Sequence, residues 1–532
     1  MLFAALFIIL AFVNVEVRNV SALVSIVIPV YNAAPYLDEC LKSVIDQSYQ
    51  ALEVIIINDG STDQSEEIIN QYVNQDSRLT LINQQNHGLG YTRNKGISLS
   101  NGTYIFFLDS DDRIPAHAIQ SLVKAALKGD ADYAAGKVIR FNEERKYIPI
   151  RHLEFNLYKK NETTALLNQP EMLQDSIACN KLWNKDFVKK NNLHFTEGKY
   201  YEDLAFTMKG AVLAGKIAIV NSFVYEWRVR EGEDKPSITQ QQMKLQNTLD
   251  RISALSSNRQ WLKANQIPVK IIQEHDLKSL LDLLRLHVMK YALIDDADRE
   301  RWEDVVTSFL NEIPSDTALK LPAKEKKLYD LFINKNYNEL KLFSLIYTNT
   351  ETTPIVFQES SRFLLKGEEK TYDVTKDFKP TVIISKIVSD DLGFEISGVL
   401  TIPKASKQAF GEIYATVRGS KDKIILTNVE SQPVEESHPY LFENQKYKAW
   451  IQAKAFKNVL RGSTLDLYFR LVDYPAYRPA RIRVSPGVNT PEGIKEPALS
   501  FYRTNLGNMS IEIKAKNELF GKALAKIKKM LK

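Results

Sequence analysis

A chain of 532 residues, 44% hydrophobic and 25% charged, is ordinary globular protein with room for about three or four domains, and nothing forces any of them into disorder. A net charge of +5 is small for this length and gives no reason to expect nucleic acid as a partner. The two cysteines, Cys40 and Cys179, both fall in segments that read as structured, so no disulfide framework is implied and a reducing, cytosolic setting fits.

Residues 1–13 are apolar and uncharged, shorter than the roughly 20 residues a membrane-spanning helix needs. They lack the basic start of a signal peptide, although Val20-Ser21-Ala22 would serve for cleavage. A weak anchor, a signal peptide and an extension from an upstream start compete for residues 1–22. The extension is preferred, because the folded pattern begins abruptly at Leu23. No other segment reads as able to span a bilayer.

From there strands and helices alternate. Residues 23–32 predict a buried strand ending in a Pro-containing turn, and residues 34–47 a helix with Leu37, Leu41, Val44 and Ile45 on one stripe. A second strand over 52–57 turns through Asn58-Asp59-Gly60 into a helix over 64–73, and a third strand follows at 79–82. Residues 87–94 lead into another helix ending near Gly102. A strand over 105–108 is apolar throughout and runs into Asp109, Asp111 and Asp112, with a helix over 116–127 behind it. This alternation, with short connections, predicts an open, mostly parallel α/β sheet.

Carboxylates as close as Asp109, Asp111 and Asp112 repel one another unless a cation sits among them, and oxygen-only ligands suit Mn2+ or Mg2+. Phosphate oxygens commonly fill the positions such an ion leaves open. An isolated D-x-D pattern is more often a capped loop. Here Asp59, Asp109 and Asp111 all fall beyond the carboxyl ends of strands, where open α/β sheets bind ligands.

Past a mixed stretch with a strand near 134–141, Asn180-Lys181-Leu182-Trp183 and Tyr200 to Leu204 stand out. Glu202 and Asp203 open an apolar helix over 205–214 and would there be caps or dipole partners on the plain reading. Arg228 and Arg230, before Ser237, are either surface charges or diphosphate ligands, to which arginine is geometrically matched.

Residues 240–347 carry helical stripes, among them Leu277, Leu280, Leu281, Leu284 and Val288. They read as a helical linker domain without chemistry of its own, in which Met243 and His287 are core. Over 348–517 the period becomes two, with strands expected near 381–387, 392–402, 411–418, 423–429, 447–453, 465–471, 480–484 and 509–515. That predicts an antiparallel β-sandwich for binding or oligomerisation. In 518–532, Leu519, Phe520, Ala523, Leu524, Ile527 and Leu531 share one helical face, and five lysines populate the rest. The segment reads either as a membrane-surface helix, each lysine contributing about 1 kcal/mol near anionic lipid, or as a helix packed on protein.

Taken together, VSIVIPVYN (24–32), NDGSTD (58–63), NHGLGYTRN (86–94), YIFFLDSDD (104–112), NKLW (180–183), YED (201–203) and the basic strand 225–230 resemble the family 2 glycosyltransferases of the GT-A fold, over about 24–239. The resemblance implies a nucleotide-sugar site. Pro29, Tyr31 and Asp59 would hold the base and ribose, and Asn86 and Arg93 would flank the diphosphate and donor sugar. Asp109 would contact ribose or sugar and share the metal with Asp111. Arg228, Arg230 and Ser237 would meet the donor. Asp203 would be the catalytic base, with Glu202, Lys181 and Trp183 supporting acceptor or sugar. Many relatives carry a histidine near 225–230 as a further metal ligand; this chain has none there.

The order of α/β GT-A catalytic domain, helical linker and immunoglobulin-like β-sandwich further resembles the wall teichoic acid glycosyltransferases. These add a sugar, often N-acetylglucosamine, to polyol-phosphate polymers at the cytoplasmic membrane face. The resemblance implies a UDP-sugar donor and a polyanionic cell-envelope polymer or lipid-linked acceptor, held by basic strands such as 478–483. An anionic membrane surface and a homotrimer through the C-terminal domain are the further partners it would add. The chemistry is a one-step displacement with inversion, a metal neutralising the departing phosphates and one carboxylate taking the acceptor proton. Synthesis of capsular or exopolysaccharide repeat units is the alternative within the class. A catalytically inactive polymer-binding protein is the alternative outside it, against which intact Asp109, Asp111 and Asp203 speak.

Overall fold

The computed structural model describes residues 22–142, 146–230 and 242–348, and the chain between 356 and 514 apart from 360–361, 369, 376–379, 404–409, 421, 434–441, 473–478, 486–487, 490–497 and 505–506. Ser237, Arg478, most of the N-terminal extension and the segment 518–532 lie outside the described residues. The chain forms two compact units. The first draws on residues up to Arg140, on Ile148–Val229 and on Leu249–Ser279; the second draws on Phe141–Tyr147, Arg230–Thr248 and the chain from Leu280 onward.

In the first unit, β1 (Val24–Val30) is buried at every position, as expected of a central parallel strand covered on both faces. α1 (Ala34–Ile45) begins with a proline in its first turn, where a missing N–H costs nothing, and buries Leu37, Cys40, Leu41 and Val44. β2 (Leu52–Asp59), α2 (Ser65–Val73), β3 (Leu79–Gln84), α3 (Leu89–Leu99) and β4 (Tyr104–Phe107) continue the alternation. α3 lies so close on β1 that a Cβ at Gly96 would come within 2.2 Å of Val27 Cγ1, which is why that helix carries a glycine mid-length.

Further elements include α4 (Ala118–Gly129), β5 (Tyr133–Phe141), β6 (Glu162–Thr164), β7 (Lys181–Asn184), α5 (Lys185–Lys190), α6 (Asp203–Leu213) and β8 (Ile217–Arg228). The strand order is β3-β2-β1-β4-β7-β5-β8-β6. Pairing is parallel from β3 through β1 to β4. It turns antiparallel where β7 enters between β4 and β5. The expectation of a mostly parallel sheet is thus corrected to a mixed one. The described residues between β5 and β7 include a five-residue helix, Ile150–Glu154, and the short strand β6. Register brings the functional ends together: Val30 pairs with Asn58 and Val27 with Phe107, so Tyr31, Asp59 and Asp109 emerge at one edge.

Two long helices follow, α7 (Leu245–Ala264) and α8 (Val269–Leu286). Residues 249–279, read from sequence as part of a linker, pack within the first unit.

The second unit holds α9 (Asp296–Glu312), α10 (Ala323–Ile333) and α11 (Tyr337–Thr348). Trp302 donates to Thr248 Oγ1 at 2.9 Å, and the same hydroxyl lies 2.9 Å from His287 Nδ1, so His287 is a core residue. Strands then dominate. A continuous path runs Arg483–Val484, Thr381–Ser389, Gly393–Pro403, Phe442–Gln452, Lys423–Pro433, Phe410–Val417, Thr464–Leu471, Met509–Ile513, Leu499–Arg503. Buried and half-buried positions alternate strictly along Thr464–Leu471, the period-two pattern of a sheet with one face on a core. Among the described residues no helix is long and apolar enough to cross a membrane.

Candidate active site

The edge where β1 and β2 end is stitched by side chains from the Asn58-Asp59-Gly60 turn. Asn32 accepts from the Thr62 N–H at 2.8 Å, Ser61 accepts from the Asn32 N–H at 3.0 Å, and Asn58 accepts from the Ser61 N–H at 3.0 Å. Both oxygens of Asp59 are used inside the chain. One accepts from Gln84 at 2.7 Å and the His87 N–H at 2.8 Å, the other from the Gly88 N–H at 2.8 Å. Asp59 therefore sets the turn that carries Asn86, whose side chain is exposed. Pro29 is buried in β1, whereas Tyr31 is 54% exposed.

Asp109, Asp111 and Asp112 form the turn after β4. Asp112 is buried, accepting from Tyr225 Oη at 2.6 Å and the Arg228 N–H at 2.7 Å. Burial, then the neighbouring Asp111 and Asp109, push its carboxyl well above the usual carboxylate range. The end of β8 clamps the turn. Arg113 and Glu226 exchange backbone hydrogen bonds at 3.2 and 2.9 Å and pair through their side chains at 2.6 Å. Arg228 donates its Nε to the Asp111 carbonyl at 2.8 Å and its Nη2 to Glu39 of α1 at 2.8 Å. Glu39 also accepts from Arg113 at 2.8 Å. Arg230 is half-buried and belongs to the second unit.

Arg93, on α3, is 3% exposed. Its Nη2 meets Asp109 at 2.6 Å and its Nη1 meets Glu202 at 2.5 Å, with Cys179 Sγ 3.6 Å from Nη2. One cation thus ties the strand-end carboxylates to the turn that opens α6. In that turn Tyr201 adopts φ 62°, a left-handed conformation costly for a tyrosine, with Arg251 of α7 stacked 3.6 Å over its ring. Asp250 accepts from the Tyr200 N–H at 3.2 Å, and Asn258 donates to the Leu204 carbonyl at 3.2 Å. Asp203 is the first residue of α6. Burial and the adjacent Glu202 push its carboxyl up to about 7, against the pull of Arg93, Arg251 and Lys278.

The donor set at the turn is oxygen only, and Asp111 and Asp109 add to the burial that pushes the Asp112 carboxyl up, so Asp109 and Asp111 fit a hard divalent cation. Among the described residues no three His, Cys, Asp or Glu side chains converge on one point. Such an ion would take the rest of its shell from a ligand's phosphates.

Lys181 and Trp183 were expected beside acceptor or sugar; the structure corrects this. Lys181, 2% exposed, pairs with Asp175 at 3.1 Å and donates to the Ile177 carbonyl at 2.6 Å. Burial pushes Asp175 up, yet Lys181 and His152 together hold its carboxyl far below the usual range. Trp183 is fully buried, its ring 4.6 Å from Tyr133 and 5.0 Å from Phe206. Both residues frame β7 from inside. Glu39, Arg113, Asp250, Arg251, Asn258 and Lys278 are additions that the sequence reading did not assign. Except for Arg113, which follows the Asp109–Asp112 turn, polar residues within a helical stripe were the available signal, but which stripe faces the site is not written in the period.

A family model described as Glycosyl transferase family 2 matches residues 25–191. The glycosyltransferase GlyG of Streptococcus pneumoniae serotype 4 is 32% identical over 218 residues, 40% of this chain and 72% of GlyG. GlyA of the same organism is 33% identical over 214 residues, 39% of this chain, and the match spans only 31% of GlyA. The poly(ribitol-phosphate) beta-glucosyltransferase of Bacillus spizizenii is 28% identical over 321 residues, 59% of this chain and 48% of that protein. Among solved structures, S. aureus TarS superposes with a TM-score of 0.50 at 16% identity, covering 93% of this chain and 86% of TarS. TarS 1-349 in complex with UDP-GlcNAc also reaches 0.50, at 20% identity over 66% of this chain and 98% of that one. At such identity the likeness is one of fold.

Proposed function

The chain belongs to the family 2 glycosyl transferases, and from that premise we propose that it moves N-acetylglucosamine or glucose from a UDP-sugar to a hydroxyl of a polyol-phosphate polymer of the cell envelope, inverting the anomeric carbon. The observation that carries the chemistry is Asp203, a carboxyl pushed up to about 7 at the mouth of a helix and linked through Glu202 and Arg93 to Asp109. A general base works best when its pKa lies near the operating pH.

Asp203 takes the proton of the acceptor hydroxyl as that oxygen attacks the anomeric carbon. The bond from that carbon to the diphosphate breaks in the same step, on the opposite face. Tyr31 stacks the uracil, Asp59 holds the turn bordering the ribose, and Arg228 turns its guanidinium to the diphosphate. Mn2+ or Mg2+, held by Asp111 and Asp109, would supply the charge that lets UDP depart. Glu202 fixes Arg93 and keeps a second negative charge beside Asp203, which preserves its basicity.

Two findings support a polyol-phosphate acceptor. The alignment with the poly(ribitol-phosphate) enzyme runs over 321 residues, longer than the matched family segment, and the TarS fold extends along 93% of the chain. We read the C-terminal strands as an immunoglobulin-like sandwich that joins three copies, and the enzyme as working at the cytoplasmic face of the membrane. The test is UDP release by the full-length protein, with UDP-N-acetylglucosamine or UDP-glucose and Mn2+ or Mg2+. Poly(ribitol phosphate) is expected to raise release severalfold. Stimulation by a lipid-linked oligosaccharide alone would move the acceptor to capsular or exopolysaccharide synthesis.

A further inference from the structure

Glu39 lies on the second turn of α1, and its carboxylate is shared by two guanidiniums. Oε2 accepts from Arg113 Nη1 and from Arg228 Nη2, both at 2.8 Å. Arg113 is also held by Glu226 at 2.6 Å and by the paired backbone, so it does not depend on Glu39 for its place. Arg228 is different. Its Nε is fixed to the Asp111 carbonyl, its Cζ lies 5.1 Å from the Tyr36 ring centre, and its Nη2 is bonded to Glu39. The Glu39 side chain is 51% exposed.

We propose that Glu39 is a positioning residue that parks Arg228 beside Asp111 and competes with the donor's diphosphate for it. This rests on the reading of Arg228 as a diphosphate ligand and assigns the group that regulates it. Magnitudes favour an exchangeable contact. Half of the Glu39 side chain and 15% of that of Arg228 face solvent, so their partly screened pair contributes on the order of 1 kcal/mol, whereas a guanidinium and a phosphate form a charge-assisted, bidentate pair of the stronger kind. The diphosphate therefore takes Arg228 from Glu39 when donor binds, and Glu39 recovers it as UDP leaves. The carboxylate lowers the affinity for donor and product alike and speeds product release, a step that limits turnover in many enzymes.

Calorimetry of UDP in the presence of Mg2+, on the full-length chain, tests this. Glu39→Gln removes the competitor and should tighten UDP binding about fivefold, the factor that ~1 kcal/mol converts to, with the gain fading at high salt. The KM for donor should fall with kcat, a split that a merely structural role would not produce. Glu39→Asp keeps the charge and should bind UDP as the native protein does. In Arg228→Ala the effect of Glu39→Gln should vanish. Unchanged or weaker UDP binding by Glu39→Gln overturns the proposal, and so does tightening that persists without Arg228. If Glu39→Gln melts well below the native protein, Glu39 is holding the fold and the proposal also falls. Should Arg228→Ala alone leave UDP affinity unchanged, the assignment of Arg228 to the diphosphate is what fails.

Discussion

Replacing Asp203 by asparagine is expected to lower turnover by roughly 100-fold or more, the loss typical of a missing general base, while UDP binds as tightly as before. The same change should stabilise the protein at pH 8. In the unfolded chain this carboxyl ionises near its ordinary value of about 3.9, but in the fold only at about 7. Between those values the unfolded state releases a proton that the folded state keeps, so stability falls as pH rises and the loss is complete above 7. Asparagine carries no such charge. Its melting temperature should exceed the native one at pH 8, with the margin closing toward pH 4. The native pH–rate profile should show its acid limb near 7. An inactive variant that is also less stable at pH 8 would mean that Asp203 supports structure.

Removing the buried cation should have the largest effect on folding. Arg93→Met leaves Glu202, itself buried, without its partner, and breaking a buried pair from one side costs about 3–5 kcal/mol. Urea unfolding at pH 7.5 measures that loss. Lysine should not rescue it, because a single ammonium cannot span Asp109 and Glu202 as the planar guanidinium does. Arg93 also pulls the Asp203 carboxyl down, so without it residual activity should show its acid limb moved to higher pH. A stability within about 0.5 kcal/mol of native, the range of ordinary surface changes, would mean that the bridge does not hold in solution.

These two residues show how far the sequence could be read. Strands β1, β2 and β4 were visible as apolar runs, and the carboxylates after them as a cluster at one edge, because a buried parallel strand has to be apolar on both faces. Arg93 was legible as a site residue but not as an internal bridge. Its partners lie 16 and 109 positions away, and only the fold brings them together. Asn180 to Trp183 stood out as a motif but was misread as ligand contacts, since a buried lysine paired with Asp175 looks on paper like an exposed one. The helices at 249–279 read as a linker, because a helical stripe shows that it packs and not what it packs against. Asp250, Arg251 and Asn258 hold the turn before Asp203, so the catalytic unit extends past the strands that the sequence advertised.

The central claim is a one-step transfer from a UDP-sugar to a polyol-phosphate polymer with Asp203 as base. It is tested most directly by proton NMR of the product that the full-length protein forms from UDP-α-N-acetylglucosamine or UDP-α-glucose and poly(ribitol phosphate). The account predicts a β-linked sugar on the polymer, one UDP released per sugar added, and no such signal above background with Asp203→Asn. An α-linked product, or UDP release that does not depend on the polymer, would contradict it.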